Sequence, residues 1–243
     1  ALADTKPKAA GAAEFTINKD ASKGDFMMEA PREKIRGKVH DTITGDIQID
    51  LSDITKTTAH LYVDIGDIEL FQQARGSDDE EYGEEVKKDL QIEHAKQWLE
   101  IGPCDDAEDK AKCEEQTKQN RKVEFVITEV KADKTDLSAM EGDERKVTAT
   151  VTGDFLLHQH KTKKTAELEI TVKMNGDKPD SVTVKTVKPF EVGLKEHDVR
   201  PREAFGKLAK ATLDAIERDD GGRKVADAAK VSVEIHAKIK SMA

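Results

Sequence analysis

Between Lys146 and Met174 the chain reads KVTATVTGDFLLHQHKTKKTAELEITVKM, two long runs in which apolar and polar residues alternate. Val147, Ala149, Val151, Phe155 and Leu157 share one parity of the first run, and Leu168, Ile170, Val172 and Met174 share one parity of the second. A period of two puts residues i, i+2 and i+4 on the same side of a pleat. The stretch therefore predicts two half-buried antiparallel strands joined by a basic, His-containing turn. Such a sheet needs something to enclose.

The same alternation recurs along the chain. Short strands are expected at Glu14 to Asn18, with Phe15 and Ile17 inward, and at Asp25 to Ala30, with Phe26 and Met28 inward. From Lys34 to Asp50 the residues Ile35, Gly37, Val39, Ile43, Gly45, Ile47 and Ile49 share a parity, which suits two strands and a tight bend at Thr44-Gly45. Ala59, Leu61, Val63 and Ile65 mark a further strand, and Arg121 to Val130 another, carrying Phe125 and Ile127. Asn175-Gly176 turns the chain into Asp180 to Val187, and Val231 to Ile239 supplies a closing strand.

Two stretches lack the period of two. Gly76 to Glu100 has helical spacing, with Ile92, Ala95 and Leu99 on one face and the acidic run Asp78 to Glu81 suited to a helix N-terminus. Phe205, Leu208, Ala209, Thr212 and Ile216 predict an amphipathic helix within 202–220 that ends near Gly221-Gly222. The expected organisation is a flexible tail over 1–13 followed by one domain over 14–243, with an inserted loop at 102–120. The fold class is all-β: about eight antiparallel strands, with one or two helices at the connections, closing into a barrel whose interior can hold side chains or one small ligand.

Apolar residues make up 36% of the chain and charged residues 37%, so the core is thin relative to the surface, as in a single sheet closed on itself. The net charge of −10 and the 4% aromatic content argue against a nucleic-acid partner, which needs clustered cations and stacking rings. No run of 18 apolar residues is present to span a membrane as a helix. Cys104 and Cys113 flank an acidic loop; they are either two free thiols or, the reading favoured here, a local disulfide implying an oxidising compartment. Ala1 and Ala3 have the A-x-A pattern of a signal-peptidase site, which also fits a periplasmic or secreted protein.

Taken in order, these segments resemble the YceI-like family of polyisoprenoid-binding proteins. The resemblance rests on Phe15-Thr16-Ile17-Asn18, on Gly37 to Asp50, on Leu61 to Ile65, on Gly153 to His158 followed by Thr162-Lys163, and on Val231 to Lys238. It departs at Gln159 and His160, where the family has a glycine and an apolar residue, and in the cysteine loop and the 204–218 helix, which are additions. It implies a lipocalin-like barrel with an elongated apolar cavity for an isoprenoid or other amphiphilic chain, in an exported and often dimeric protein.

On this reading Phe26, Ile47, Ile49, Leu61, Val63, Ile65, Phe125, Ile127, Phe155, Leu157, Leu168 and Ile170 line the cavity. His158 and His160 form an H-x-H pair expected to face outward or to lie at the mouth. With Thr162, Lys161, Lys163 and Lys164 they are candidates for contact with an anionic head group, the alternatives being a solvated strand end or a metal pair. No third metal ligand lies close in sequence, although folding could bring His40, His60 or His236 near. No nucleophile elbow, phosphate-cradling loop or paired carboxylates point to catalysis, and no cofactor is implied. The expected function is lipid binding. The alternative is a non-enzymatic accessory subunit of a cell-envelope assembly, its barrel filled with side chains; a homodimer or an envelope protein is the expected protein partner.

Overall fold

The computed structural model describes residues 1–3, 9–30, 32–199 and 227–242. The helix expected within 202–220 lies outside the described residues. The strands are β1 (Ala13–Ile17), β2 (Lys23–Ala30), β3 (Glu33–His40), β4 (Ile43–Ile49), β5 (Thr58–Asp64), β6 (Glu69–Ala74), β7 (Val86–Lys87), β8 (Lys122–Ala132), β9 (Glu144–Leu157), β10 (His160–Asn175), β11 (Lys178–Thr186), β12 (Phe190–Gly193) and β13 (Ala228–Met242). The α-helices are α1 (Asp89–Trp98) and α2 (Lys110–Asn120).

Among the described residues, eight strands close a ring in the order β1, β4, β5, β8, β9, β10, β11, β13. The ring shuts where Phe15 of β1 stands opposite Ile239 of β13, and every pairing is antiparallel. Full closure removes the sheet edges that would otherwise template aggregation.

The remaining strands continue this ring upward. β13 is long enough to pair β1 and β11 with its C-terminal half and β2 and β12 with its N-terminal half. β3 then pairs β2 on one side and β6 on the other. The run from Glu33 to Ile49 is thus two strands, as expected, which follow one another across a bend and do not pair with each other. Its break falls at Asp41-Thr42, not at the expected Thr44-Gly45: Asp41 has φ 61°, and Gly45 stays inside β4 with φ 130°. A Cβ at Gly45 would lie 2.1 Å from the His60 carbonyl oxygen, so glycine is kept there for close strand approach.

Two expectations for the crossovers are corrected. The acidic run Asp78 to Glu81 does not begin a helix; α1 starts only at Asp89, after the two-residue strand β7 pairs with β6. The 102–120 insertion is not simply a loop, because it holds α2, N-capped by the Asp109 side chain accepting from the Lys112 N–H. α2 has hardly any apolar face to bury. What anchors it is covalent and polar: the Cys104–Cys113 disulfide, the Gln116 amide on the Glu100 carboxylate at 2.8 Å, and the Asn120 amide on the Glu100 carbonyl oxygen at 3.4 Å.

The ring has a solid floor. Phe15, Ile54, Leu137, Val147, Ala149, Val172, Val182 and Ala237 pack there with almost no exposure. The β8–β9 connection seals it from below: the Leu137 and Ser138 N–H groups donate to the Leu51 carbonyl oxygen at 2.7 and 2.9 Å, and the Ile54 N–H to that of Thr135 at 2.8 Å. At the other end β6 has no ladder to β8, and α1 covers the opening, Ala95 and Ile92 packing on Ile68, Leu70, Phe26, Ile35 and Val39.

Candidate ligand cavity

The space between floor and cover is a cavity of about 290 Å³ with an almost wholly apolar lining. Small-molecule pockets run from roughly 300 to 1,000 Å³, so this one lies at the small end of that range. All twelve side chains expected from the alternation border it: Phe26, Ile47, Ile49, Leu61, Val63, Ile65, Phe125, Ile127, Phe155, Leu157, Leu168 and Ile170.

The wall owes its shape partly to glycine. Phe26 and Phe125 lie flat against Gly37 and Gly153, where a Cβ would meet ring carbons at 2.1 and 2.3 Å. Gly37 is the direct cross-strand partner of Phe26. Removing a side chain opposite an aromatic lets the ring lie along the sheet instead of standing across the lumen.

Alternation did not reveal the upper wall completely. Trp98 and Leu99 of the α1 end, Leu194 and Val199 after β12, and Met28, Ile35 and Leu70 of the upper strands also border the cavity. Met28 and Ile35 follow the strand period and Leu99 the helical face with Ile92 and Ala95, whereas Leu194 and Val199 belong to an irregular segment whose packing no period can show. Trp98 contributes a buried indole N–H with no hydrogen-bond partner.

β10 runs from polar to apolar along its inward side. Thr162 and Lys164 come first, then Ala166, Leu168 and Ile170 in the cavity wall, then Val172 and Met174 packed into the floor. Lys164 is only 12% exposed at its side chain and is ion-paired with Glu196. The Glu196 carboxylate also accepts from the Gly193 N–H at 2.9 Å, and the Lys164 ammonium and this N–H hold it below the usual carboxylate range.

The basic cluster expected around the β9–β10 turn is therefore divided. Lys161 and Lys163 point to the other face, onto Asp154 at 3.2 and 2.9 Å, and with Lys163 leading they lower that carboxyl's pKa. Lys164 faces inward. A period of two carried back from Leu168 would have separated it from its neighbours.

The histidines are also redistributed. His158 and His160 do not share a strand face. His158 and Gln159 are the two central residues of the turn, with φ 48° and 62°, and Leu157 pairs directly with His160. His160 is exposed, whereas His158 is buried: its Nδ1 lies 3.0 Å from the His197 carbonyl oxygen and its Nε2 3.2 Å from the Glu100 carboxylate.

His197, which no motif or period singles out, is fully buried. Its Nδ1–H is shared between the carbonyl oxygens of Leu157 and His160 at 3.2 and 3.0 Å, so Nε2 is left to accept from the Thr162 hydroxyl at 3.2 Å. Burial pushes this imidazole's pKa down, in keeping with a neutral ring. Thr162 is thereby committed to His197.

The histidines that folding could have brought near are paired with carboxylates of their own. His40 sits between Asp41 and Glu69, His236 on Glu234, and His60 on the fully buried Glu124, which also accepts from the Leu2 N–H at 2.9 Å. Among the described residues no group of three or more His, Cys, Asp or Glu is placed to hold a metal ion. Nor is any described helix long and apolar enough to cross a membrane.

No protein-family model matches the sequence, and no curated protein matches it. Solved structures do. A polyisoprenoid-binding domain from Saccharophagus degradans, implicated in plant cell wall breakdown, superposes with a TM-score of 0.53 at 11% identity, covering 93% of this chain and 98% of that one. BcnA from Burkholderia cenocepacia gives a TM-score of 0.43 at 13% identity, over 92% of this chain and 99% of the other. The likeness to the first is one of fold, and the lipocalin-like barrel expected from the resemblance to YceI-like proteins is the observed architecture.

Proposed function

We propose that this protein is a non-enzymatic carrier or store for an amphiphilic chain, an isoprenoid or a lipid of similar girth, held in the barrel. The observation that carries the reading is the cavity: about 290 Å³, apolar, closed below by packed side chains and covered above by α1 and the Leu194–Val199 segment. An empty apolar hollow of this size sacrifices packing that a filled core would keep. Moving about ten methylenes out of water contributes on the order of 8 kcal/mol, so the wall needs few polar contacts to retain a chain. The fold shared with a domain described as polyisoprenoid-binding supports the same ligand class.

The disulfide supports an oxidising compartment, periplasmic or extracellular. A barrel filled with side chains, as an accessory subunit would have, suits the floor but not the upper half.

The test is organic extraction of the purified protein followed by mass spectrometry, with uptake of added farnesol or a longer prenol measured in parallel. A prenyl or alkyl amphiphile extracted at close to one per chain, or saturable uptake of the prenol, is expected. A protein that yields no lipid and takes up none overturns the proposal.

A further inference from the structure

Lys164 borders an otherwise apolar cavity and shares the inward parity of β10; the other charged residues of the lining, Asp25 and Glu124, turn their carboxylates to Arg36 and to His60 and Lys122. Lys164 lies one inward position above Ala166, Leu168 and Ile170, so a chain lying along those three residues brings its head to Lys164. Its partner differs from it in two ways that matter. Glu196 is 38% exposed where Lys164 is 12%, and it belongs to a short 3-10 turn, Lys195–His197, rather than to the barrel. The cation is thus built into the wall, and the anion reaches it from the edge.

Resting on the carrier reading above, we infer that Lys164 is the head-group subsite and that it selects amphiphiles ending in an anion, a carboxylate or a phosphate, which take the place of Glu196. A low-dielectric wall makes an unpaired ammonium costly, so the site holds an anion at all times, the protein's own when empty and the ligand's when filled. The displaced carboxylate, already 38% exposed, turns into water, which replaces the contacts its Oε1 made with Lys164 and the Gly193 N–H. A neutral alcohol offers no such replacement: it either leaves the Lys164–Glu196 pair intact and lies short of it, or breaks the pair without compensation.

Lys161 and Lys163 do not compete for the head group, since Asp154 holds them on the opposite face. Thr162 is occupied by His197. Of the residues expected to contact a head group, Lys164 is thus the one that borders the cavity.

The experiment uses the full chain, delipidated, with displacement of a fluorescent fatty-acid probe by two matched pairs: palmitic acid against hexadecanol, and farnesyl phosphate against farnesol. A charge-assisted hydrogen bond contributes about 1.5–3 kcal/mol, so the anion of at least one pair is expected to bind about ten- to a hundredfold more tightly than its alcohol. The pair showing the larger ratio identifies carboxylate or phosphate as the preferred head. In Lys164→Met the ratio should fall to near one with alcohol binding retained, and in Glu196→Gln the anion should bind several-fold more tightly. Equal binding of anions and alcohols by the unmodified protein, or a preference that survives Lys164→Met, overturns this inference while leaving the carrier reading standing. Failure of all four chains to bind overturns the carrier reading itself. Should Lys164→Met fold poorly, Glu196→Gln still decides, since unchanged or weaker anion binding there is the opposite of what competition requires.

Discussion

His158 and Glu100 meet at 3.2 Å, imidazole Nε2 to carboxylate, and through that contact the β9–β10 turn is fastened to the end of the covering helix α1. The ring's other nitrogen faces the His197 carbonyl oxygen, which can only accept, so Nδ1 must donate there. Glu100 in turn holds Gln116 of α2. One side chain thus joins the turn, the cover and the segment after β12.

Replacing His158 with alanine leaves the buried His197 carbonyl oxygen without its partner and removes the anchor of Glu100. The expected loss is about 1–3 kcal/mol, the usual cost of an orphaned buried polar group. Chemical denaturation measures it. Hydrogen exchange should show the loosening concentrated in α1, α2 and 194–199, and a uniform loss across the barrel strands would contradict the latch.

His197 predicts how stability responds to acid. Burial lowers its pKa below the ordinary 6.5 of histidine, so the unfolded chain takes up a proton at a pH where the folded protein does not. The stability it contributes is therefore complete above about pH 6.5 and declines as pH falls below that value. Denaturation midpoints compared between pH 7.5 and pH 5 should fall less in His197→Asn than in the unmodified protein. An equal fall in both would remove His197 as the cause.

Closing the ten-residue ring between Cys104 and Cys113 stabilises by about 2–3 kcal/mol if it acts by restricting the unfolded chain. Because α2 has little apolar packing of its own, reduction or Cys113→Ser should expose 102–120 to exchange and proteolysis first. The barrel strands should keep their protection, and limited proteolysis with mass spectrometry would show whether they do.

Ala166 borders the cavity between Lys164 and Leu168. Ala166→Trp should fill the lumen and abolish uptake of prenol while the circular dichroism of the barrel persists. Ile170→Ala, one wall position above the packed floor, should instead admit a longer chain. Affinity across geraniol, farnesol and geranylgeraniol should keep rising in that variant beyond the length at which the unmodified protein levels off.

Much of the wall was legible because a strand with one buried face repeats every two residues, and that period survives the bend between β3 and β4: Val39 and Ile43 both still face inward. What escaped were places where the period stops. His158 and His160 read as an outward pair only if β9 continues through them, but a two-residue turn with positive φ at both positions resets the count, and β10 begins with a new parity. Lys164 was grouped with its basic neighbours by composition, although its parity with Leu168 assigns it to the interior. α2, with few apolar residues and a covalent anchor, carries no hydrophobic pattern from which a helix could be read. His197 owes its role to carbonyl groups of a distant turn.

The floor and the cavity wall of the barrel have different duties. In the floor, Phe15, Leu137 and Val172 leave no room, and a substitution there is a matter of whether the chain folds at all. In the wall, residues such as Ile35, Leu168 and Leu194 border open space and owe less to their neighbours. The floor can hold the architecture constant while the wall changes residue by residue, so the shape of the cavity can be altered without first solving the folding problem again.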